Sequence, residues 1–399
     1  MNIKGSGISD VGSVRANNED YYLIDDDLEL YIVCDGVGGG NGGEVASKMA
    51  AENCAKFLRN NKSVIEEYFC IGNNDALIHN LLQDAIQHSC ESIFSKAKSD
   101  SKLSGMSTTL TAVLILNSRV IMGHVGDSRL YLIRNNDVYQ VSEDHTIGQE
   151  IREKSISSTP PVSANKFDSI LKRSIGFTES IEVDTMFFDI IPGDQLLLCS
   201  DGLYNNITRP IEFLPILEKP QDEALIELID LSNRRGGKDN ITCILIKASL
   251  DESLYGGLEG DRSELLNDLS ILDNYLFKDL NFTRLNRIIH TVNTYEIDQG
   301  VMICEVQQCP NGLFIVLNGT IDVLRDNGEL YTTLKRSQFF GQYSLMMDKK
   351  EKFSYRAGEN CKVIYLDSDD YRKLCRHHPK FGVQLLENYI HGCESLIAT

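Results

Sequence analysis

At 399 residues, with 42% hydrophobic and 24% charged side chains, the chain has the bulk for two globular domains and excludes a fibrous or largely disordered protein. Its formal net charge of −19 excludes a nucleic-acid or anionic-membrane surface, since both need clustered Lys and Arg. The 11 cysteines contain no CxxC pair, which excludes zinc ribbons and redox motifs and leaves reduced thiols in a cytoplasmic protein.

The first 34 residues read as short strands and turns. Gly12–Asp20 (GSVRANNED) is a polar loop, and a strand follows at Tyr21–Ile24. The apolar run Leu30–Val33 is a buried strand that stops at Asp35 and the glycine-rich turn Gly36-Val37-Gly38-Gly39-Gly40. Two helices come next, over Gly43–Arg59 and Asp75–Lys98, the second with Ile78, Leu81, Leu82, Ala85, Ile86 and Ile93 on one face. The period then switches to two. Ser107–Leu116, Val120–Val125, Arg129–Ile133 and Val138–Val141 form a meander of hairpins, with Asp127 in one tight turn.

Asp144–Thr185 is irregular, and Pro160-Pro161 exclude regular structure there. It reads as a short helix, a flap-like loop and a second short helix near Ser169–Arg173. Leu196–Cys199 repeats the opening device, a buried strand ending on Asp201-Gly202. Helical stretches at Pro210–Leu217 and Gln221–Ser232 precede the strand Ile241–Lys247, which Asp239-Asn240 opens. The acidic, glycine-containing stretch from Ala248 to about Ser270 is a linker. The expected division is therefore 1–249, a linker at 250–269, and 270–399.

Asp35 and Asp201 close buried strands and Asp239 opens one, so the three can converge at one sheet edge. Packed carboxylates repel unless divalent cations neutralise them, and an all-oxygen set suits Mg²⁺ or Mn²⁺. Two ions sharing a carboxylate activate water and clamp a phosphoryl oxygen, with Arg15 as a planar fork for the phosphate. No protein nucleophile is needed, and no cysteine has the arginine six positions on that a phosphocysteine loop requires. Gly38-x-Gly40-x-x-Gly43 satisfies the dinucleotide fingerprint, but FLRNNKSVIEE follows where the second strand and its acidic residue belong.

In order and spacing, GSVRANNED, VCDGVGGGNGGEVAS, GMSTTLTAVLI, GHVGDSRLYLI, SEDH, LKRSIG, LLLCSDGL and KDNITCILI resemble the metal-dependent serine/threonine phosphatases of the protein phosphatase 2C type. The resemblance covers residues 1 to about 250. It implies an α+β fold, an α-β-β-α sandwich of two antiparallel sheets flanked by helices, acting on phosphoprotein substrates. Carried over, Asp35 bridges two ions, Gly36 ligates through its carbonyl, and Asp201 and Asp239 complete one shell. Glu19 holds water with Asp20 behind it, Arg15 binds phosphate, and Asp127 with Asp201 matches a third-metal site. The histidine frequent after the Asp-Gly pair is Val37 here, which leaves the acid for the leaving alkoxide unassigned among side chains. His145 of SEDH reads as structural. A catalytically inactive phosphoprotein-binding scaffold is the rival reading.

From about residue 270 the chain resembles the cyclic nucleotide-binding domain, a β-roll with flanking helices. The resemblance rests on a helical lead-in, Tyr295-x-x-x-x-Gly300, Phe314-Ile315-Val316-Leu317-Asn318-Gly319 and Phe340-Gly341. The ligand cassette departs from the family. Gln342 replaces the glutamate after Gly341, and counting from Phe340 places Glu351 at the phosphate-binding arginine, with Lys352 one residue on. The expected role is regulation or homodimerisation, with a cyclic-nucleotide switch as the alternative.

Overall fold

The computed structural model describes residues 1–37, 42–71, 75–154, 164–249, 280, 288, 291–306, 311–342, 345, 350–377 and 382–388. The turn at 38–41, Pro160-Pro161, the linker at 250–269 and most of the helical lead-in lie outside them. The chain divides into two compact units, Met1–Tyr255 and Gly256–Thr399. Among the described residues no helix is long and apolar enough to cross a membrane.

The first unit begins with β1 (Asn2–Asp10), β2 (Asp20–Asp25) and β3 (Leu30–Val37), then α1 (Gly43–Asn60), α2 (Lys62–Ile71) and α3 (Asp75–Ser99). The meander follows as β4 (Ser107–Thr108), β5 (Leu110–Leu116), β6 (Arg119–Val125), β7 (Arg129–Arg134) and β8 (Asp137–Gln140). After α4 (Ile147–Lys154) come β9 (Asp184–Asp189), β10 (Gln195–Cys199), α5 (Asp201–Tyr204), α6 (Leu214–Leu217), α7 (Gln221–Arg234) and β11 (Ile241–Ser249).

These strands make two antiparallel sheets, ordered β1-β11-β10-β7-β8 and β2-β3-β5-β6-β9, with β4 pairing onto β3. Alternation along β3 explains the layering. Leu30, Ile32 and Cys34 point to one core, against Ala46, Ala50, Cys54 and Leu58 of α1 and Leu82 and Ile86 of α3. Tyr31 points the other way, toward Gly5 of β1, where an added Cβ would stand 2.1 Å from its ring. On the second sheet Tyr131, Leu197, Cys243 and Leu245 meet Phe213, Leu217, Leu225 and Leu228 from the segment 210–234. Both faces of each central strand are buried, hence their near-continuous apolar runs.

Three expectations need correction. The stretch Lys62–Ile71 is a helix that sequence reading passed over, because Lys62, Ser63, Glu66 and Glu67 interrupt the apolar face on which Ile65 and Tyr68 join the core. The short helix expected near Ser169–Arg173 is absent there: a 3₁₀ turn lies at Ala164–Phe167, and Leu171 instead bridges Thr146. Asp184–Asp189, its first two residues assigned to irregular chain, is the edge strand β9.

In the second unit, β12 (Asn293–Ile297), β19 (Cys361–Asp367), β14 (Gly312–Asn318) and β17 (Phe339–Phe340) form one sheet. The other holds β13 (Met302–Cys304), β18 (Ser354–Ala357), β15 (Ile321–Leu324) and β16 (Leu330–Leu334). Val316, Val323, Phe340, Tyr355 and Val363 fill the space between.

One ion pair ties the sheets of the first unit together. Arg134, at the end of β7, donates through Nε to Asp194 Oδ1 at 2.8 Å and through Nη2 to Asp194 Oδ2 and to the Asp189 carbonyl, 3.0 Å away on β9. Both side chains are 2% exposed. Removing one partner strands a buried charge, which costs about 3–5 kcal/mol. Asp194→Ala should lower the unfolding free energy of this unit by that amount, read from urea transitions followed by circular dichroism. A loss below about 1 kcal/mol would show the pair to be incidental.

Candidate active site

The strand ends gather one acidic cleft of about 270 Å³, lined by Arg15, Glu19, Asp35, Asp127, Asp201 and Asp239. Asp35 is held through its backbone. Its N–H donates to Thr109 Oγ1 at 2.8 Å, and its carbonyl accepts from Thr109 N at 2.9 Å and Thr108 Oγ1 at 2.8 Å. Gly36 has no room for a side chain, since a Cβ would lie 2.3 Å from the Gly43 carbonyl and 2.5 Å from that of Glu19. Its N–H instead donates to the Glu19 carbonyl at 3.1 Å, which locks the GSVRANNED loop against β3.

Asn240 secures the same loop from the other sheet. Its Oδ1 accepts from Glu19 N at 2.8 Å, while its Nδ2 donates to the carbonyls of Val11 and Asn17, both at 2.9 Å. Asp20 is buried and accepts from Ser200 Oγ at 2.7 Å, so each sheet supplies one end of that bond. Sequence reasoning did not single out Asn240, Ser200 or Thr109. Asn240 and Ser200 sit beside chosen residues in KDN and CSDG, Thr109 lies in STT with none beside it, and only the fold reveals that these residues do the holding.

Burial and mutual repulsion raise the carboxyls of Glu19, Asp20, Asp35, Asp127 and Asp201 above their ordinary range. Asp35 is pushed well up by burial, then by Asp20 and Asp201. Burial and the Asp239 charge move Asp201 up to about 6. Asp127 rises to about 8 through burial and Asp201, and Asp20 to about 7 through burial, opposed by the Ser200 hydrogen bond. Glu19 is raised by burial and then by Glu44.

The carboxylates line the cleft rather than close on one point, and no three His, Cys, Asp or Glu among the described residues stand as a finished metal cage. Repulsion spreads them, and Arg15 Nη2 draws Asp239 Oδ2 to 2.8 Å. The donor set nevertheless fits a hard dication. It is all oxygen, the carboxyls of Asp35, Asp127 and Asp201 carry raised proton affinity, and the buried Asp201 Oδ1 has no hydrogen-bond partner among the described residues. Val37 is 43% exposed on the cleft and brings no ionisable group.

In the second unit Gly341 adopts φ +91°, and an added Cβ would strike the Gly312 carbonyl at 2.2 Å, so this glycine serves the backbone packing. Glu351 is buried and accepts from Tyr355 Oη at 3.1 Å, whereas Lys352 is exposed. Gln342 Oε1 is buried without a hydrogen-bond partner among the described residues. Phe340 stacks on Phe314 and Tyr355, with centroids 4.8 and 4.3 Å apart.

A family model described as Protein phosphatase 2C matches residues 13–224, and one described as Cyclic nucleotide-binding domain matches residues 295–378. The serine/threonine phosphatase stp of Listeria welshimeri is 34% identical over 249 residues, covering 61% of this chain and 94% of that one. The serine/threonine phosphatase PstP/Ppp of Mycobacterium tuberculosis superposes with a TM-score of 0.52 at 29% identity, over 62% of this chain and 99% of its own. The PstP catalytic domain solved in complex with 2 manganese ions gives 0.53 at 29% identity, over 62% of this chain and 99% of that one.

The raised carboxyls fix the sign of a pH effect. From the ordinary value of 3.8 up to about 6, 7 and 8, the folded cation-free protein holds protons that the unfolded chain has lost. The stability these three groups contribute is therefore full below pH 4 and falls as pH rises through that window. With chelator present, the thermal midpoint should drop between pH 5 and pH 8.5, and added Mn²⁺ should raise it more at pH 8.5. A midpoint with chelator that is flat across this range would contradict the buried-carboxylate account.

Proposed function

The chain belongs to the protein phosphatase 2C family, and from that premise we propose how its parts divide the work. It is a metal-dependent phosphoprotein phosphatase acting on phosphoserine and phosphothreonine. Residues 1–249 are the catalytic unit, 250–269 a linker, and 270–399 a regulatory unit. The observation that carries the reading is the cleft in which Asp35, Asp127, Asp201 and Asp239 face one another beside Arg15.

In this reading Asp35, the Gly36 carbonyl, Asp201 and Asp239 would hold two Mg²⁺ or Mn²⁺ ions, with Asp201 and Asp239 completing the shell of one, and Asp127 with Asp201 would hold a third. When bound, the ions supply a water of lowered pKa and Lewis-acid polarisation of the phosphoryl group. Glu19, its backbone fixed by Asn240, accepts a hydrogen bond from water in the cleft. The buried Asp20 stiffens that wall through Ser200.

Arg15 orients the phosphate. Its pair with Asp239 has side chains 49% and 35% exposed, and a solvated pair of that kind contributes about 0–1 kcal/mol. The fork is therefore readily turned to a phosphate, where bidentate charge-assisted bonds are stronger. With Val37 unable to give a proton, the leaving alkoxide takes its proton from water.

The family assignment leaves the second unit open, and its interior supports regulation without cyclic-nucleotide capture. A buried carboxylate, Glu351, sits where sequence counting expects the phosphate-binding arginine, and it is already engaged by Tyr355. An anionic cyclic phosphate there meets a like charge. Docking to the phosphatase or self-association is the remaining use.

Two measurements test these assignments. Asp35→Asn should lower Mn²⁺-dependent turnover of a phosphopeptide about 100-fold or more, since it weakens both ions at once, while leaving circular dichroism unchanged. Retention of more than about a tenth of activity removes Asp35 from the site, whereas a wild-type chain without Mn²⁺-dependent turnover favours the scaffold reading. Calorimetric titration of the full chain with cyclic AMP and cyclic GMP should give no binding tighter than about 10 μM, and a tighter constant would restore the nucleotide switch.

A further inference from the structure

We propose that His145 is a positioning residue: it fixes Asp127 in the cleft and joins that turn to the segment carrying Ser169 and Leu171. The inference rests on the reading of Asp127 as a cation ligand. Asp127 follows Gly126 in the turn between β6 and β7, and the turn is gripped through Gly126. The Gly126 N–H donates to His145 Nδ1 at 3.1 Å, and the Gly126 carbonyl accepts from His145 N at 2.7 Å. Both polar groups of one peptide position are thus held by one residue.

The turn has no slack on its far side. Gly126 adopts φ +111°, and a Cβ there would stand 2.5 Å from Thr109 Cγ2. Ser128 Oγ and Thr109 Oγ1 are 2.7 Å apart just beyond. His145 closes the near side. Its own carbonyl accepts from Lys172 N at 2.8 Å, and Thr146 bridges Leu171. Leu171 and Ser169 also line the cleft, so His145 joins the acidic turn to a second segment of the lining.

The ring's hydrogen is placed by its neighbours. Because Nδ1 accepts, the hydrogen is on Nε2, which faces Asp184 Oδ2 at 3.1 Å. Asp184 is held in turn by Arg173 Nη1, which donates to its Oδ1 at 2.6 Å and lies 3.2 Å from Nε2. The ring packs on the buried His124, with centroids 4.7 Å apart. A ring that only fills space needs none of this orientation.

Two substitutions separate positioning from packing. His145→Asn places an amide oxygen near the Nδ1 position and keeps an acceptor for Gly126, but it leaves the larger void. His145→Gln reaches toward Asp184, loses the acceptor and fills the space better. Positioning predicts that Asn outperforms Gln; packing alone predicts the reverse.

The experiment uses the full chain, with Asp127→Asn as reference. In H145Q we expect Mn²⁺ binding at the weakest site in calorimetry to fall about 10-fold, the effect of one hydrogen bond. The Gly126 amide should exchange faster, and kcat should fall with KM for the phosphopeptide unchanged. H145N should lie near wild type. Equal defects in both variants, or a worse one in H145N, overturn the inference. An effect in D127N with none in H145Q overturns it while leaving the cation site standing. Unchanged Mn²⁺ binding in D127N overturns the site reading and the inference together. If the variants do not fold, ring ¹⁵N shifts of the wild-type protein decide: hydrogen on Nε2 supports the proposal, and hydrogen on Nδ1 ends it.

Discussion

Five carboxylates and one guanidinium share the lining of a single cleft, and most of what is unusual in this fold follows from holding like charges together. Asp35 and Asp127 come from the ends of strands in one sheet, Asp201 and Asp239 from the other. No local stretch could assemble them. The sandwich does so because antiparallel strands of both sheets turn at the same edge, and the repulsion is confined there while apolar layers stabilise the rest.

The scaffold around the charges is built of neutral groups. Thr109, Asn240 and Ser200 hold backbone and side chains in place without adding charge. A buried ion pair, Arg134 with Asp194, links β7 to the β9–β10 connection, and Arg129, held by Asp144, stands close enough to Asp127 to oppose the rise of its carboxyl. Arg15, the only arginine among the described residues lining the cleft, is half exposed and loosely paired.

Much of this was legible from residue order. The helices at Gly43 and Asp75 and the hairpin meander carry strong periodicity, and the structure reproduces them to within two residues at most ends. Aspartates that end or open buried strands were recognisable because a charged residue there interrupts an apolar run. What escaped was of two kinds. The helix Lys62–Ile71 and the strand β9 have mixed composition and are settled by packing rather than period. The supporting residues Asn240 and Ser200 escaped because their partners lie 221 and 180 positions away. Hydrogen bonds of that span leave no mark on local sequence.

The pairing of β1 with β11 sets an order of events during synthesis. Asn2 through Asp10 align with Ser249 back through Ile241, nine residue pairs that join the two ends of the phosphatase unit. The first strand emerges from the ribosome early and has no partner until the last is made. The first sheet therefore cannot close from its N-terminus inward. Asp239 stands two residues before that last strand, and Gly12 of the early loop packs against its carbonyl, where a Cβ would lie at 2.2 Å. The cleft is thus completed by the same event that seals the sheet. A nascent chain carries Asp35, Asp127 and Asp201 without the frame that brings them together, and the acidic cleft arrives only with the finished domain.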